Sequence, residues 1–272
     1  MSTDQFSVEG LRTVVTGSSR GIGRAIAEQF GADGADVVVC APAGEHEQLE
    51  AVVSDIEAAG GRGLAVPCDV IDREAVVDLL SATEDTFGGV DVLINNVGGG
   101  RIEPFESVSP ADWRAIMDLN LTGTVNCTQL LGEAIRGQGG SIINIASGAG
   151  LQGFPGESAY SAAKAAVIRL TETVAFEWAY DDVRVNCIAP GLISTSLSQE
   201  QPMPVPDPED IDRDRVARRY GRPDEIADAA QYLASPAASF VTGRTLFVGG
   251  VPRLERHFEV ARVGPDENAW VH

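Results

Sequence analysis

Tyr160 and Lys164 are the residues in this sequence best suited to move a proton. They stand four positions apart in a segment of helical periodicity, so their side chains project from one helix face. A free tyrosine has a pKa of about 10, and a neighbouring ammonium lowers it, which makes the phenol a usable proton donor and acceptor. Lys164 is the sole lysine among 20 basic residues. Since arginine serves at every other basic position, we infer that this position needs a compact ammonium that a planar guanidinium cannot replace.

A glycine-rich turn near the start of the chain is the second candidate site. Its sequence is Thr16-Gly17-Ser18-Ser19-Arg20-Gly21-Ile22-Gly23, between a short β-branched run and a helical pattern. The three glycines allow a tight turn and a close approach of backbone N–H groups to a pyrophosphate at a helix N-terminus. A structural turn is the alternative, but the strand–turn–helix context favours a dinucleotide site.

The identity of the dinucleotide depends on the end of the second strand. An NAD-binding fold usually places Asp or Glu there to accept from the ribose 2′-hydroxyl, whereas this strand ends in Cys40-Ala41-Pro42. Arg20 could bind a 2′-phosphate through its guanidinium, although Glu45 lies nearby. The sequence therefore favours NADP(H), with NAD(H) as the alternative.

Strand and helix patterns alternate along the chain, and the strands are nearly all apolar. This alternation predicts an α/β fold with a single doubly wound, Rossmann-like parallel sheet, helices on both faces, and one domain over residues 1–272. The predicted strands are Arg12–Thr16, Asp36–Cys40, Gly63–Pro67, Val90–Asn95, Ser141–Ala146, Val183–Ala189 and Thr245–Val248. The predicted helices are Gly21–Gly34, Gln48–Ala59, Arg73–Phe87, Ala111–Arg136 and Ser158–Tyr180.

Composition limits the classes of partner. The chain has 40 acidic and 20 basic residues, a net charge of −20, which disfavours nucleic acid and anionic membranes as partners. No apolar run is long enough to span a membrane and no signal peptide is evident, so we expect a cytoplasmic protein. The acidity suits a saline cytosol, whereas a GC-rich genome would explain the preference for arginine over lysine equally well. The four cysteines are widely spaced, which favours buried reduced thiols over a metal site or disulfides.

Two segments do not follow the alternating pattern. Residues 194–214 carry alternate prolines and then acidic residues, which predicts either a substrate lid or a solvated surface loop. The position after a strand end favours the lid. Residues 251–272 form a polar C-terminal extension, either an arm that bridges subunits or a disordered tail.

The ordered motifs resemble those of the short-chain dehydrogenase/reductase family over about residues 8–250. They are the glycine turn, Asn95-Asn96-Val97-Gly98, Asn120, Ser147, Tyr160-x-x-x-Lys164 and Pro190-Gly191. The resemblance implies that Tyr160 is the general acid/base and that Ser147 hydrogen-bonds the reacting oxygen. It implies that Lys164 lowers the pKa of the tyrosine and binds the nicotinamide ribose, and that Asn120 holds a water that connects Lys164 to solvent.

The resemblance also implies a set of cofactor contacts. Asp69 would contact the adenine amine, and the segment from Pro190 to Thr195 would receive the carboxamide. The implied cofactor-binding residues are Gly17, Ser19, Arg20, Gly21, Ile22, Gly23, Asp69, Val70, Asn96, Gly98, Tyr160, Lys164, Pro190, Gly191, Ile193 and Thr195. Two departures from the family pattern are Val97 in place of alanine, and Val248-Gly249-Gly250 without the usual aspartate.

The expected function is therefore oxidoreduction between a carbonyl and a secondary alcohol by hydride transfer with NAD(P)(H). A catalytically silent nucleotide-binding subunit of the same fold is the alternative. Gln152 and Phe154 suggest a small cyclic or sugar-like substrate, and the family is usually a homotetramer or homodimer. No metal is expected.

Overall fold

The structure, a computed structural model, describes residues 3–195, 220–250 and 270–271. The strands are β1 Arg12–Thr16, β2 Asp36–Ala41, β3 Arg62–Pro67, β4 Val92–Asn95, β5 Gly100–Arg101, β6 Gly140–Ile145, β7 Val183–Pro190, β8 Thr245–Val248 and β9 Trp270–Val271. The α-helices are α1 Gly21–Ala32, α2 His46–Ala58, α3 Arg73–Phe87, α4 Pro110–Met117, α5 Gly123–Ile135, α6 Gly148–Leu151, α7 Ser158–Glu177 and α8 Pro223–Ala234.

Seven strands form one parallel sheet in the order β3-β2-β1-β4-β6-β7-β8. The order runs outward in both directions from β1 and β4, so this is the doubly wound α/β sheet that the sequence predicts. The carboxyl ends of β1 and β4 meet where the order reverses, and open sheets of this kind bind ligands at that edge.

Each face of the sheet carries its own apolar core. Val15, Val37 and Val39 point to one face, where α1, α2 and α8 cover them. Their neighbours Val14 and Val38 point to the other, where α3 and α5 cover them. Because both alternating sets are buried, the strands are apolar at nearly every position, as observed in the sequence.

Helix boundaries follow local capping chemistry. The Asp72 side chain accepts a hydrogen bond from the Glu74 backbone N–H at the start of α3, and Gly88 ends that helix with a φ of 84°. Ser109 caps α4 in the same way, and Pro110 occupies its first turn, where a missing N–H costs nothing.

The structure differs from the sequence prediction in three elements. The helix predicted over Ala111–Arg136 is divided into α4 and α5 by the π-helical turn Asp118–Thr122. Helix α8, which precedes β8, is absent from the sequence prediction, although Pro223 and two following acidic residues mark its start. The antiparallel pairing of β5 with β9 was also missed.

The predicted lid, residues 194–214, and the C-terminal extension, residues 251–272, lie mostly outside the described residues. Of the proposed lid only residues 194 and 195 are described, and of the C-terminal extension only β9. All four cysteines are buried free thiols. Within the described ranges, no cluster of His, Cys, Asp and Glu is arranged to hold a metal. In that same part of the chain, no helix is long and apolar enough to cross a bilayer.

A buried polar chain ties the central strands to the helices that cover them. Asn95 on β4 donates to Asn144 on β6 at 2.8 Å and to Thr128 on α5 at 3.0 Å. Asn144 in turn donates to Thr171 on α7 at 2.9 Å. Buried amides without partners are costly, so these bonds fix how α5 and α7 sit over the sheet.

We predict that Asn144→Ala lowers the free energy of unfolding by about 2–4 kcal/mol, because it leaves both a cavity and unpaired polar groups. The matched variant Thr171→Val keeps the volume and removes one member of the chain, and should cost only about 1 kcal/mol. Urea unfolding of the two variants measures both values. Equal losses would contradict the role given to Asn144.

Candidate active site

The glycine turn lies at the carboxyl end of β1 and leads directly into α1. Gly17 and Gly21 adopt φ values of 63° and 59°, which side-chain-bearing residues rarely adopt. Arg20 is the N-cap residue of α1 but makes no side-chain cap, and the first turn of the helix contains no acidic residue. The backbone N–H groups there are consequently available to an anion, and the helix dipole favours one.

Two side chains hold the turn in place. The Asn96 amide donates to the carbonyl oxygens of Thr16 and Gly17 at 3.0 and 2.9 Å. Ser18 Oγ accepts from the Cys40 backbone N–H at 2.9 Å, which ties the turn to the end of β2. Asn96, expected at the cofactor ribose, therefore also positions the turn from β4. The ribose contact itself stays a prediction.

The segment that follows β7 reaches back to this turn. Gly191 N–H donates to Val248 O, and Ile193 pairs with Gly221. A methyl group added at Gly21 would lie 3.5 Å from Thr195 Cγ2, so Thr195 stands beside the glycine turn. The structure thus brings the two predicted ends of the cofactor site together.

Asp69 and Val70 follow β3 at the same edge of the sheet. Asp69 is exposed and accepts from the Ile71 backbone N–H at 3.1 Å. Val70 is buried against Gly123, the first residue of α5. Both lie next to the ends of β2 and β3, and the contact of Asp69 with the adenine amine that the resemblance implies stays a prediction.

Ser147 follows the end of β6 after one residue, Ala146, and has an extended backbone. Its Oγ accepts from the Ala149 N–H at 3.1 Å at the start of the short helix α6. A hydrogen bond from this serine also helps to lower the pKa of Tyr160. Ser147 and Tyr160 are therefore neighbours across β6 and α7, as the predicted site requires.

The pKa of Tyr160 differs from the sequence prediction. The sequence predicts a value below that of free tyrosine, whereas burial of the phenol raises the pKa to about 12, against the lowering effect of Ser147. Lys164 Nζ lies 5.8 Å from the centre of the tyrosine ring, and Ser147 rather than Lys164 is the group that opposes the effect of burial. At neutral pH the phenol accordingly carries its proton and can donate it.

Lys164 is 2% exposed and lies on α7 one turn after Tyr160. Its Nζ donates to the Ile145 carbonyl oxygen at 3.0 Å. Burial lowers its pKa from 10.5 to about 8, because a buried ammonium loses its hydration. The lysine is therefore charged at neutral pH but held close to its titration point.

Asn120 supports the loop that covers Lys164. Within the π-helical turn, its side chain accepts from Gly99 N–H and donates to Gly99 O at 3.0 and 2.6 Å. A methyl group at Gly98 would lie 2.5 Å from Lys164 Nζ and 2.7 Å from Asn120 Oδ1, so only glycine fits between them. Asn120 is buried, and its expected water contact stays a prediction.

Some residues of the site were missed by sequence reasoning. The carbonyl of Ile145 and the side chain of Ser18 act through contacts between strands, which no local motif marks. Glu45, noted only as a neighbour of Arg20, accepts a short hydrogen bond from Ser19 Oγ and pairs with Arg20 at 3.5 Å.

Comparison with known proteins identifies the family of this chain. A family model described as enoyl-(acyl carrier protein) reductase matches residues 17–251. The chain belongs to the short-chain dehydrogenase/reductase family, and it is an NAD(P)-dependent oxidoreductase that acts between carbonyl and hydroxyl groups.

Its relatives act on different compounds. A 3-oxoacyl-[acyl-carrier-protein] reductase of Synechocystis sp. is 42% identical over 87% of this chain and 94% of that protein. A 3beta-hydroxysteroid dehydrogenase 1 of Eggerthella lenta is 39% identical over 93% of this chain and 97% of that protein. A solved 7 alpha-hydroxysteroid dehydrogenase with NADH and 7-oxo glycochenodeoxycholic acid gives a TM-score of 0.86 at 34% identity, covering 94% and 99% of the two chains.

We predict that Lys164→Met stabilises the cofactor-free protein by about 1–3 kcal/mol at pH 7, because it removes a buried charge, while turnover is lost. The charged lysine destabilises the fold fully below its folded pKa of about 8, and the penalty disappears as pH rises towards 10.5.

Chemical unfolding at pH 7 and pH 10 measures this difference. The increase in the free energy of unfolding caused by Lys164→Met should be smaller at pH 10 than at pH 7. A variant less stable than the parent protein at pH 7 would contradict the penalty assigned to the buried ammonium.

Proposed function

We propose that Tyr160, Ser147, Lys164 and Asn120 are the catalytic residues of a carbonyl–alcohol oxidoreductase. The observation that carries this proposal is the placement of the half-buried Tyr160 beside Ser147 and the buried Lys164 at the carboxyl edge of the sheet. A silent nucleotide-binding subunit would have no need for a charged lysine inside this site, because burying it costs stability.

In the direction of reduction, the bound nicotinamide cofactor supplies the hydride. Ser147 Oγ donates a hydrogen bond to the carbonyl oxygen and holds it beside the phenol of Tyr160. Tyr160 then gives its proton to that oxygen as negative charge develops there. The ammonium of Lys164 stabilises the resulting phenolate until a proton returns from solvent. In alcohol oxidation the same groups act in reverse.

The residues of the glycine turn suit a dinucleotide. Its backbone N–H groups and the start of α1 would receive the pyrophosphate, and Lys164 would reach the nicotinamide ribose. Ser19, Ile22 and Gly23 would line the turn. The remaining proposed contacts are Asp69, Val70, Asn96, Gly98, Pro190, Gly191, Ile193 and Thr195.

NADP(H) is the favoured cofactor in this proposal, and NAD(H) is the alternative. Arg20 supports NADP(H), since its guanidinium can pair with a 2′-phosphate and no acidic residue ends β2. The partial exposure of Arg20 leaves it able to reach such a group.

The proposed substrate is a small cyclic or sugar-like carbonyl compound or the matching alcohol. Gln152 and Phe154, next to α6, combine polar and apolar contacts. The relatives that act on steroids support a cyclic substrate. The net charge of −20 disfavours a strongly anionic acyl carrier as partner.

We propose a cytoplasmic homo-oligomer, a homotetramer or homodimer, with no nucleic acid or membrane partner. Exposed aromatic side chains at the end of α7 and near β8 support self-association, because large exposed apolar groups commonly mark interfaces. These residues are Phe176 and Phe240.

We expect Tyr160→Phe to lower kcat for carbonyl reduction by about 100-fold or more while the affinity for reduced cofactor changes little. The matched variant Tyr180→Phe removes the same hydroxyl at a position that is 98% exposed and should leave both unchanged. Cofactor fluorescence titration and an absorbance screen of carbonyl compounds give the two measurements. Cofactor binding with equal turnover in the parent and Tyr160→Phe would rule out the assigned role.

Arg20→Ala should weaken NADPH binding by about tenfold or more and leave NADH binding nearly unchanged, because only the 2′-phosphate needs the guanidinium. Arg24→Ala is the matched control, since Arg24 pairs with Glu28 and Asp55 instead. Binding isotherms for both cofactors test this, and equal effects on the two would remove the basis for preferring NADP(H).

A further inference from the structure

The carboxylate of Glu45, in the turn that follows β2, contacts the glycine turn. The strand ends at Ala41, and Pro42 leads into the 3-10 turn Ala43–Glu45. Glu45 is also the N-cap residue of α2, yet its side chain makes no cap for that helix. The carboxylate reaches instead to the glycine turn, where Oε2 accepts from Ser19 Oγ and Oε1 lies 3.5 Å from Arg20 Nη2.

This carboxylate lies close to the end of β2, the part of doubly wound folds that contacts the adenosine ribose. In doubly wound folds the pyrophosphate binds the glycine turn, and an acidic residue at the end of β2 accepts from the ribose 2′-hydroxyl. Ser18 joins the turn to Cys40, so the strand end and the turn form one wall. No acidic residue ends β2, but the following turn places the Glu45 carboxylate against this wall.

The same carboxylate opposes the role given to Arg20. Glu45 and Arg20 are 30% and 48% exposed, so each can reach a ligand at this edge. A 2′-hydroxyl can donate to Glu45 and leave the ion pair intact. A 2′-phosphate must instead separate Arg20 from Glu45, or bind with a negative carboxylate beside it, which like-charge repulsion disfavours.

We propose that Glu45 is a specificity-determining residue that shifts this site towards the dinucleotide without a 2′-phosphate. The inference rests on the proposed dinucleotide site and refines it: Arg20 favours NADP(H), Glu45 favours NAD(H), and their balance sets the preference. Replacing the carboxylate by an amide keeps an acceptor for Ser19 but removes the repulsion.

The test measures the dissociation constants of NADPH and NADH for the parent protein and for Glu45→Gln by fluorescence titration. The ratio of the two dissociation constants should shift towards NADPH by about tenfold or more. Adenosine 2′,5′-bisphosphate and AMP are used as competing probes, because they report the same subsite without the nicotinamide. The bisphosphate should gain affinity in Glu45→Gln relative to AMP.

Glu47→Gln is the matched control, since it removes the same charge from the exposed first turn of α2. The ratio of the NADPH and NADH dissociation constants of Glu47→Gln should stay within about twofold of the parent value. If both cofactors bind and Glu45→Gln changes the ratio no more than Glu47→Gln does, the role of Glu45 is overturned and the proposed function stands. If the parent protein binds neither cofactor, both proposals fail.

Discussion

The structure depends on keeping one ammonium group inside the protein. Lys164 lies under the loop at Gly98, one turn along α7 from Tyr160, and its ammonium donates to the Ile145 carbonyl at the end of β6. Burial of this kind disfavours the charged form and lowers the pKa of the amine to about 8. Burial of this charge lowers the free energy of unfolding. It also places the ammonium beside Tyr160, where it can stabilise a phenolate.

Several neighbouring features serve that burial. Only glycine fits at position 98, because any side chain would meet Lys164 and Asn120. Asn120 holds the same loop through two hydrogen bonds to Gly99, and the helix that carries it is broken by a π-helical turn at that point. Such turns often mark functional sites, and here the turn brings a buried amide to the loop.

The sequence predicted the features that are local and left out those that join distant segments. The strand–turn–helix around Gly17, the face shared by Tyr160 and Lys164, and the parallel sheet all follow from short-range patterns. The break in the helix at Asp118–Thr122 and the raised pKa of Tyr160 depend on packing between elements, which no local pattern encodes. Glu45 was visible in the sequence, but its contact with Ser19 arises only when the turn after β2 folds back.

The pKa of Lys164 is the most direct test of this account, and the sequence makes it accessible. Because the chain contains a single lysine, ¹³Cε labelling of lysine gives one side-chain resonance, and its NMR titration follows Lys164 alone. The account predicts a midpoint near pH 8 in the cofactor-free protein, well below the ordinary value of 10.5. A midpoint at or above 10.5 would contradict the claim that this ammonium is buried and desolvated beside Tyr160.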